Sequence, residues 1–151
     1  MSIHNFEYRY AFLSNRYPIT VEIDGHRYKS AESAYWGMVY PEDADRIAEM
    51  TANEALCYGK GRTTDLSDDD RVAKMERVLR EKFKNQRLME LLVGTAPQRL
   101  VNLTRSDTFW GVVDELRTER SGAGIWFKGK NHLGKLLMKI RDEHLKGKKN
   151  G

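Results

Sequence analysis

Apolar and polar residues alternate along residues 17–28: Ile19, Val21 and Ile23 fall on one side of an extended chain, Thr20 and Glu22 on the other. Asp24-Gly25 follows as a tight-turn dipeptide and His26-Arg27-Tyr28 returns, so this stretch predicts a β-hairpin. Beyond it the spacing becomes helical. Ser30 fits an N-cap for a helix over 32–40, which must end before Pro41. Residues 42–50 read as a second short helix. Thr51 with Glu54 three positions on forms a capping-box pattern for a third, reaching about Tyr58. Residues 59–64 read as a loop. Val72, Met75, Val78, Leu79 and Phe83 mark one stripe of a long helix over 67–84, and the acidic run 65–70 suits its positive dipole end. Another helix spans 86–93 and closes at Gly94. Residues 96–103 fit either a short helix or a strand. Residues 112–130, with Gly122, Gly124 and Gly129, are expected to be an irregular surface loop of the kind that shapes a site. An amphipathic helix over 133–145 closes the chain. The pattern predicts a mainly α, α+β single domain over 1–145 with a small N-terminal β-hairpin, then a basic flexible tail over 146–151.

Composition narrows the class. At 151 residues, with 40% hydrophobic and 32% charged residues, the chain reads as one globular domain. No apolar run approaches the roughly 18 residues of a membrane span, and the first residues lack a signal-like basic start and apolar stretch. Cys57 is the single cysteine, which excludes an intramolecular disulfide and a multi-cysteine zinc site. A cytoplasmic protein without membrane contact is expected. The net charge of +4 favours an anionic ligand and permits weak nucleic-acid contact, although Lys146, Lys148 and Lys149 sit in the tail. His4, His26, His132 and His144 lack metal-ligand spacing, and no GxGxxG fingerprint is present, so neither metal nor cofactor is expected.

A few residues carry chemistry. Glu32 falls in the first turn of its helix, where a carboxylate either serves the dipole or acts on a ligand. Trp36, one turn on, is a core residue or a stacking platform for a base. Gly59-Lys60-Gly61-Arg62 is a solvated turn, or a segment in which Lys60 and Arg62 pair with phosphate. Asn131 is a natural N-cap for the last helix and equally a group at an anion-binding helix start.

Several separated segments, in order, resemble the NADAR (YbiA-like) family. They are Phe12-Leu13-Ser14-Asn15-Arg16-Tyr17-Pro18, Asp24-Gly25, Ser30-Ala31-Glu32, Asp107-Thr108-Phe109-Trp110-Gly111, and the run from Asn131-His132-Leu133-Gly134 to Arg141. The resemblance covers nearly the whole chain and implies the family's mostly helical fold. It also implies metal-independent hydrolysis of an N-glycosidic bond in a ribosylated nucleotide-like compound, either a riboflavin-pathway ribosylamine phosphate or ADP-ribosylated guanine. The expected ligand is therefore a small phosphorylated ribosyl or ADP-ribosyl compound. Glu32 matches the family's active-site glutamate. Asn15, Trp36, Lys60, Arg62, Trp110 and Asn131 are the implied substrate contacts.

The chain departs from the family where chemistry is expected. Histidine, glutamine and lysine usually stand one, four and seven positions after the glutamate; here Ser33, Trp36 and Val39 stand there. Positions i, i+4 and i+7 share a helix face, so that face is expected to be apolar and offers no lysine for a covalent route. Ser67 and its acidic neighbours occupy a region where relatives commonly carry tryptophan. Val112 follows Trp110-Gly111 where many relatives have an acid, which leaves Asp114 as the candidate second carboxylate. The alternative to an enzyme is a family member that binds a nucleotide or ADP-ribose without turning it over. A third reading is a member acting on ADP-ribosylated guanine in DNA.

Overall fold

The computed structural model describes residues 1–116 and 125–149. In chain order the strands are β1 (Ser2–Ile3), β2 (Pro18–Ile23), β3 (His26–Ser30), β4 (Arg99–Leu100), β5 (Val113–Leu116) and β6 (Ile125–Lys128). The helices are α1 (Ala31–Val39), α2 (Ala44–Ile47), α3 (Ala52–Lys60), α4 (Asp68–Lys82), α5 (Gln86–Val93) and α6 (His132–Lys149), with 3-10 turns at Tyr8–Leu13 and Pro41–Asp43. The fold is α+β with helix prevailing, as the periodicity predicts. Two compact units are formed, Ala11–Leu91 and Met1–Tyr10 with Leu92–Gly151.

In the unit Ala11–Leu91, β2 and β3 pair antiparallel, with Val21 opposite Tyr28 and Ile23 opposite His26. Asp24 (φ 52) and Gly25 (φ 83) both take left-handed backbone, which matches the twist of a two-residue hairpin turn. Val21, Ile23 and Tyr28 are buried on one side of the hairpin. Ser30 ends β3 and caps α1: its hydroxyl accepts the Ser33 N–H while the Ser33 hydroxyl meets the Ser30 N–H. Thr51 and Glu54 do the same for α3, and Ser67 caps α4 through the Asp70 N–H. Helix α1 is the hub of this unit and packs on α2, α3, α4 and both strands. Close approach there depends on glycine, since a Cβ on Gly37 would lie 2.2 Å from the Tyr28 hydroxyl oxygen.

The unit Met1–Tyr10 with Leu92–Gly151 joins β1 and β4 in parallel and packs α6 on β4. Ile3, Leu100, Val101, Leu133, Leu137 and Ile140 are buried here. β5 and β6 form an antiparallel ladder. The irregular stretch expected over 112–130 is thus bounded by paired strands, and its middle, with Gly122 and Gly124, lies outside the described residues. Three further boundaries differ from the expectation. Residues 42–50 divide into the end of a 3-10 turn and the short α2, because Pro41 starts the turn. Helix α3 runs on through Gly59 and Lys60, so the loop begins at Gly61. The closing helix continues past Leu145 to Lys149.

Candidate functional site

Capping by Ser30 places Glu32 in the first turn of α1, half-buried, with its own N–H bonded to the Asn15 carbonyl at 2.9 Å. One turn on, the Trp36 indole Nε1–H donates to Glu32 Oε2 at 3.0 Å. The helix face expected to be apolar therefore still presents a donor to the carboxylate, and the donor is an indole. Trp36 is itself clamped. A Cβ on Gly59 of α3 would lie 2.3 Å from the indole carbons, so glycine alone lets α3 lie against the ring. Tyr35 meets Trp36 edge-on at 5.1 Å, and its hydroxyl accepts from Arg71 Nε at 3.2 Å. Burial holds the Tyr35 phenol above its ordinary range, with Arg71 opposing.

The aromatic side chains continue outward from Trp36. Tyr40 stacks on Trp36 with centroids 6.1 Å apart and planes within 9°. Tyr58 of α3 meets Tyr40 edge-on at 6.0 Å. The Arg62 guanidinium lies 4.1 Å above the Tyr58 ring, and the Tyr58 hydroxyl donates to the Asp43 carboxylate, which raises the phenol pKa. Glu32, Trp36 and Arg62, expected from sequence, are thus linked through Tyr40 and Tyr58, which sequence reasoning passed over. A signal for one of them was present: Glu32, Trp36 and Tyr40 follow at intervals of four and share a helix face. Lys60 is exposed in the last turn of α3.

Two buried polar atoms in this unit have no hydrogen-bond partner among the described residues, Asn15 Oδ1 and Tyr40 Oη. Such atoms cost about 1–3 kcal/mol each and belong where water or a ligand supplies the bond. Asn15 is 8% exposed, and its Nδ2 reaches the Met75 sulfur at 3.5 Å. Lys82 is the least foreseen group. It is 1% exposed, its ammonium donates to the Ser14 carbonyl at 2.9 Å, and burial takes its pKa down to about 7.

The remaining expected residues lie in the other unit. The Asp107 carboxylate accepts the N–H groups of Phe109 and Trp110 at 2.9 and 2.8 Å, folding the Asp-Thr-Phe-Trp-Gly segment into a turn. Trp110 is buried against Phe109 and His132. Gly111 is required because a Cβ there would lie 2.2 Å from the Asn102 carbonyl oxygen. Asn131 does not cap α6 with its side chain. Its Oδ1 accepts the Asn102 N–H at 2.8 Å and its Nδ2 donates to the Leu100 carbonyl at 3.0 Å, with its backbone left-handed at φ 53. The amide thereby ties the start of α6 to β4. Asp114 is exposed on β5, opposite Phe127.

A hollow beside the hairpin is lined by Glu22, Ile23, Asp24, Gly25, Arg27 and Glu81. Its three carboxylates are already paired with Arg27, Arg77 and Lys84. Among the described residues no three His, Cys, Asp or Glu side chains are grouped to hold a metal ion, and no helix is long and apolar enough to cross a membrane.

Known proteins share this arrangement of sequence and fold. The NADAR domain is matched over residues 3–145. Over 143 residues the chain is 30% identical to the N-glycosidase YbiA of Escherichia coli (strain K12), covering 89% of this chain and 81% of that one. It is 28% identical over 142 residues to a riboflavin biosynthesis protein of Vibrio vulnificus (strain YJ016), covering 89% of this chain and 35% of that longer protein. The NMR structure of the E. coli protein YbiA matches with a TM-score of 0.76 and 26% identity, over 100% of this chain and 88% of that chain. With the ordered motifs and the fold in agreement, the chain belongs to the NADAR domain family and is similar to relatives named as N-glycosidases.

Proposed function

We propose that this chain hydrolyses the N-glycosidic bond of a ribosylated nucleotide-like compound, with Glu32 as the carboxylate that serves the reacting sugar carbon. One observation carries the reading: the half-buried Glu32 carboxylate, held by the Trp36 indole N–H at 3.0 Å, at the head of a run of aromatic rings. As the carbon–nitrogen bond lengthens, positive charge gathers on the sugar ring. A carboxylate already fixed in place stabilises that charge without reorganising. Water bonds to the sugar carbon and gives a proton to Glu32. The carbon–nitrogen electron pair leaves with the base nitrogen, which takes up a proton, so one water yields free sugar and free base. The scheme requires no metal, and it does not depend on Asp114. The half-buried Trp36 indole offers an aromatic surface to the departing base.

The preferred substrate is a phosphorylated ribosylamine of the riboflavin-pathway type, ahead of ADP-ribosylated guanine; a matched relative carrying a riboflavin biosynthesis name supports that order. Binding without turnover is the second reading, favoured by Val39 standing where the family usually has lysine. A mass-spectrometric assay separates the two, comparing wild type with Glu32→Gln on ribosylamine phosphates, ADP-ribosylated guanine nucleotides and ADP-ribosylated DNA. Release of free base by wild type and its loss in the variant is the expected result. Thermal stabilisation by one of these compounds with no turnover by wild type would overturn the enzyme in favour of the binder.

A further inference from the structure

We propose that Arg46 and Arg62 together form a phosphate-binding site built on Tyr58, which deepens the glycosidase reading, and rests on it, by assigning the phosphorylated end of the substrate. Arg62 follows α3, Arg46 belongs to α2, and both guanidinium groups lie over the one phenol ring, at 4.1 and 5.1 Å from its centroid. Arg46 also hydrogen-bonds the Tyr58 hydroxyl, and a guanidinium has five N–H donors, so both arginines keep N–H groups for an anion. Arg27, Arg77 and Arg80 of the same unit each hold a carboxylate at 3.0 Å or less. Arg46 and Arg62 form no ion pair among the described residues. The nearby Asp43 carboxylate accepts the Tyr58 hydroxyl and so fixes the ring that carries both cations. Two guanidinium groups against one carboxylate leave a positive balance suited to a dianion.

The site's place in the unit fits a phosphorylated glycoside. Tyr58 meets Tyr40 edge-on, Tyr40 stacks on Trp36, and Trp36 holds Glu32, so the cationic and carboxylate ends are joined by successive rings. Tyr40 is 9% exposed, and its hydroxyl has no partner among the described residues along that path.

Titration with ribose 5-phosphate and with ribose, followed by NMR shifts of the protein, tests this without any turnover. Ribose 5-phosphate should bind at least about tenfold more tightly than ribose and shift Tyr58. Arg46→Gln and Arg62→Gln should each weaken ribose 5-phosphate about tenfold and leave ribose unchanged, as expected for loss of a charge-assisted bond. Asp43→Asn, which keeps an acceptor for Tyr58, should tighten it. Equal affinity for the two sugars, no binding of either, or variants that bind as wild type would overturn the proposal. Tighter binding of a short single-stranded oligonucleotide through the same arginines would overturn the small-molecule assignment. Wild type that binds ribose 5-phosphate but releases no base from any of the ribosylated compounds refutes the glycosidase and leaves the phosphate site standing.

Discussion

Replacing Lys82 with methionine should remove most of a steep pH dependence from the stability of this fold. The wild-type ammonium is buried, with the Ser14 carbonyl at 2.9 Å, and its pKa falls from 10.5 to about 7. Below about pH 7 the folded and unfolded chains both carry the charge, and the full cost of burying it is present. Between about 7 and 10.5 the unfolded chain keeps a proton that the folded chain has released. Stability therefore rises with pH across that window, by roughly 1.4 kcal/mol per pH unit and about 5 kcal/mol in all, as an upper bound. Methionine keeps the length of the side chain and has no proton to lose. It leaves the Ser14 carbonyl without its donor, which costs about 1–3 kcal/mol at every pH. The variant should be the more stable chain by about 2–4 kcal/mol near pH 6 and the less stable one near pH 10, with the curves crossing between. Urea unfolding of both chains over that range measures the difference, and titrations common to both chains cancel. Parallel curves would refute the buried ammonium.

Other perturbations follow from the same contacts. Gly59→Ala puts a Cβ at 2.3 Å from the Trp36 indole and should cost about 1–3 kcal/mol in denaturant unfolding, with turnover falling further than stability because Glu32 loses its aligned donor. Trp36→Phe keeps a ring and deletes the N–H that holds Glu32; kcat should fall about tenfold to a hundredfold, the size of a hydrogen bond to a charged group, and the smaller ring against Gly59 should also lower the melting temperature. Asn131→Ala strips partners from the Asn102 N–H and the Leu100 carbonyl and should destabilise the chain by about 2–4 kcal/mol in urea.

Much of the unit Ala11–Leu91 was legible because its signals are local. Asp24-Gly25 marked the hairpin, and Ser30, Thr51 and Ser67 marked three helix starts through caps that involve residues only three positions away. The parallel pairing of Ser2 and Ile3 with Arg99 and Leu100 was not legible, since nothing in two short segments names so distant a partner. Glu32 and Trp36 were singled out from the sequence, yet their hydrogen bond was hidden behind the apolar character of an indole. Arg46 and Tyr58 went unnoticed because they meet only once α2 and α3 are folded together. Lys82 reads as one more solvated charge in Arg80-Glu81-Lys82-Phe83-Lys84, and its burial follows from packing alone. Asn131 was read as a cap or a ligand contact; in the fold its amide braces β4.

The central claim is that water cleaves a sugar–nitrogen bond under Glu32. Turnover in 18O-labelled water, with both products read by mass spectrometry, tests it most directly. The account predicts one 18O on the anomeric hydroxyl of the released sugar and none in the free base, with Glu32→Gln giving neither product. Label in the base or on phosphate, or undiminished release by the variant, would contradict it.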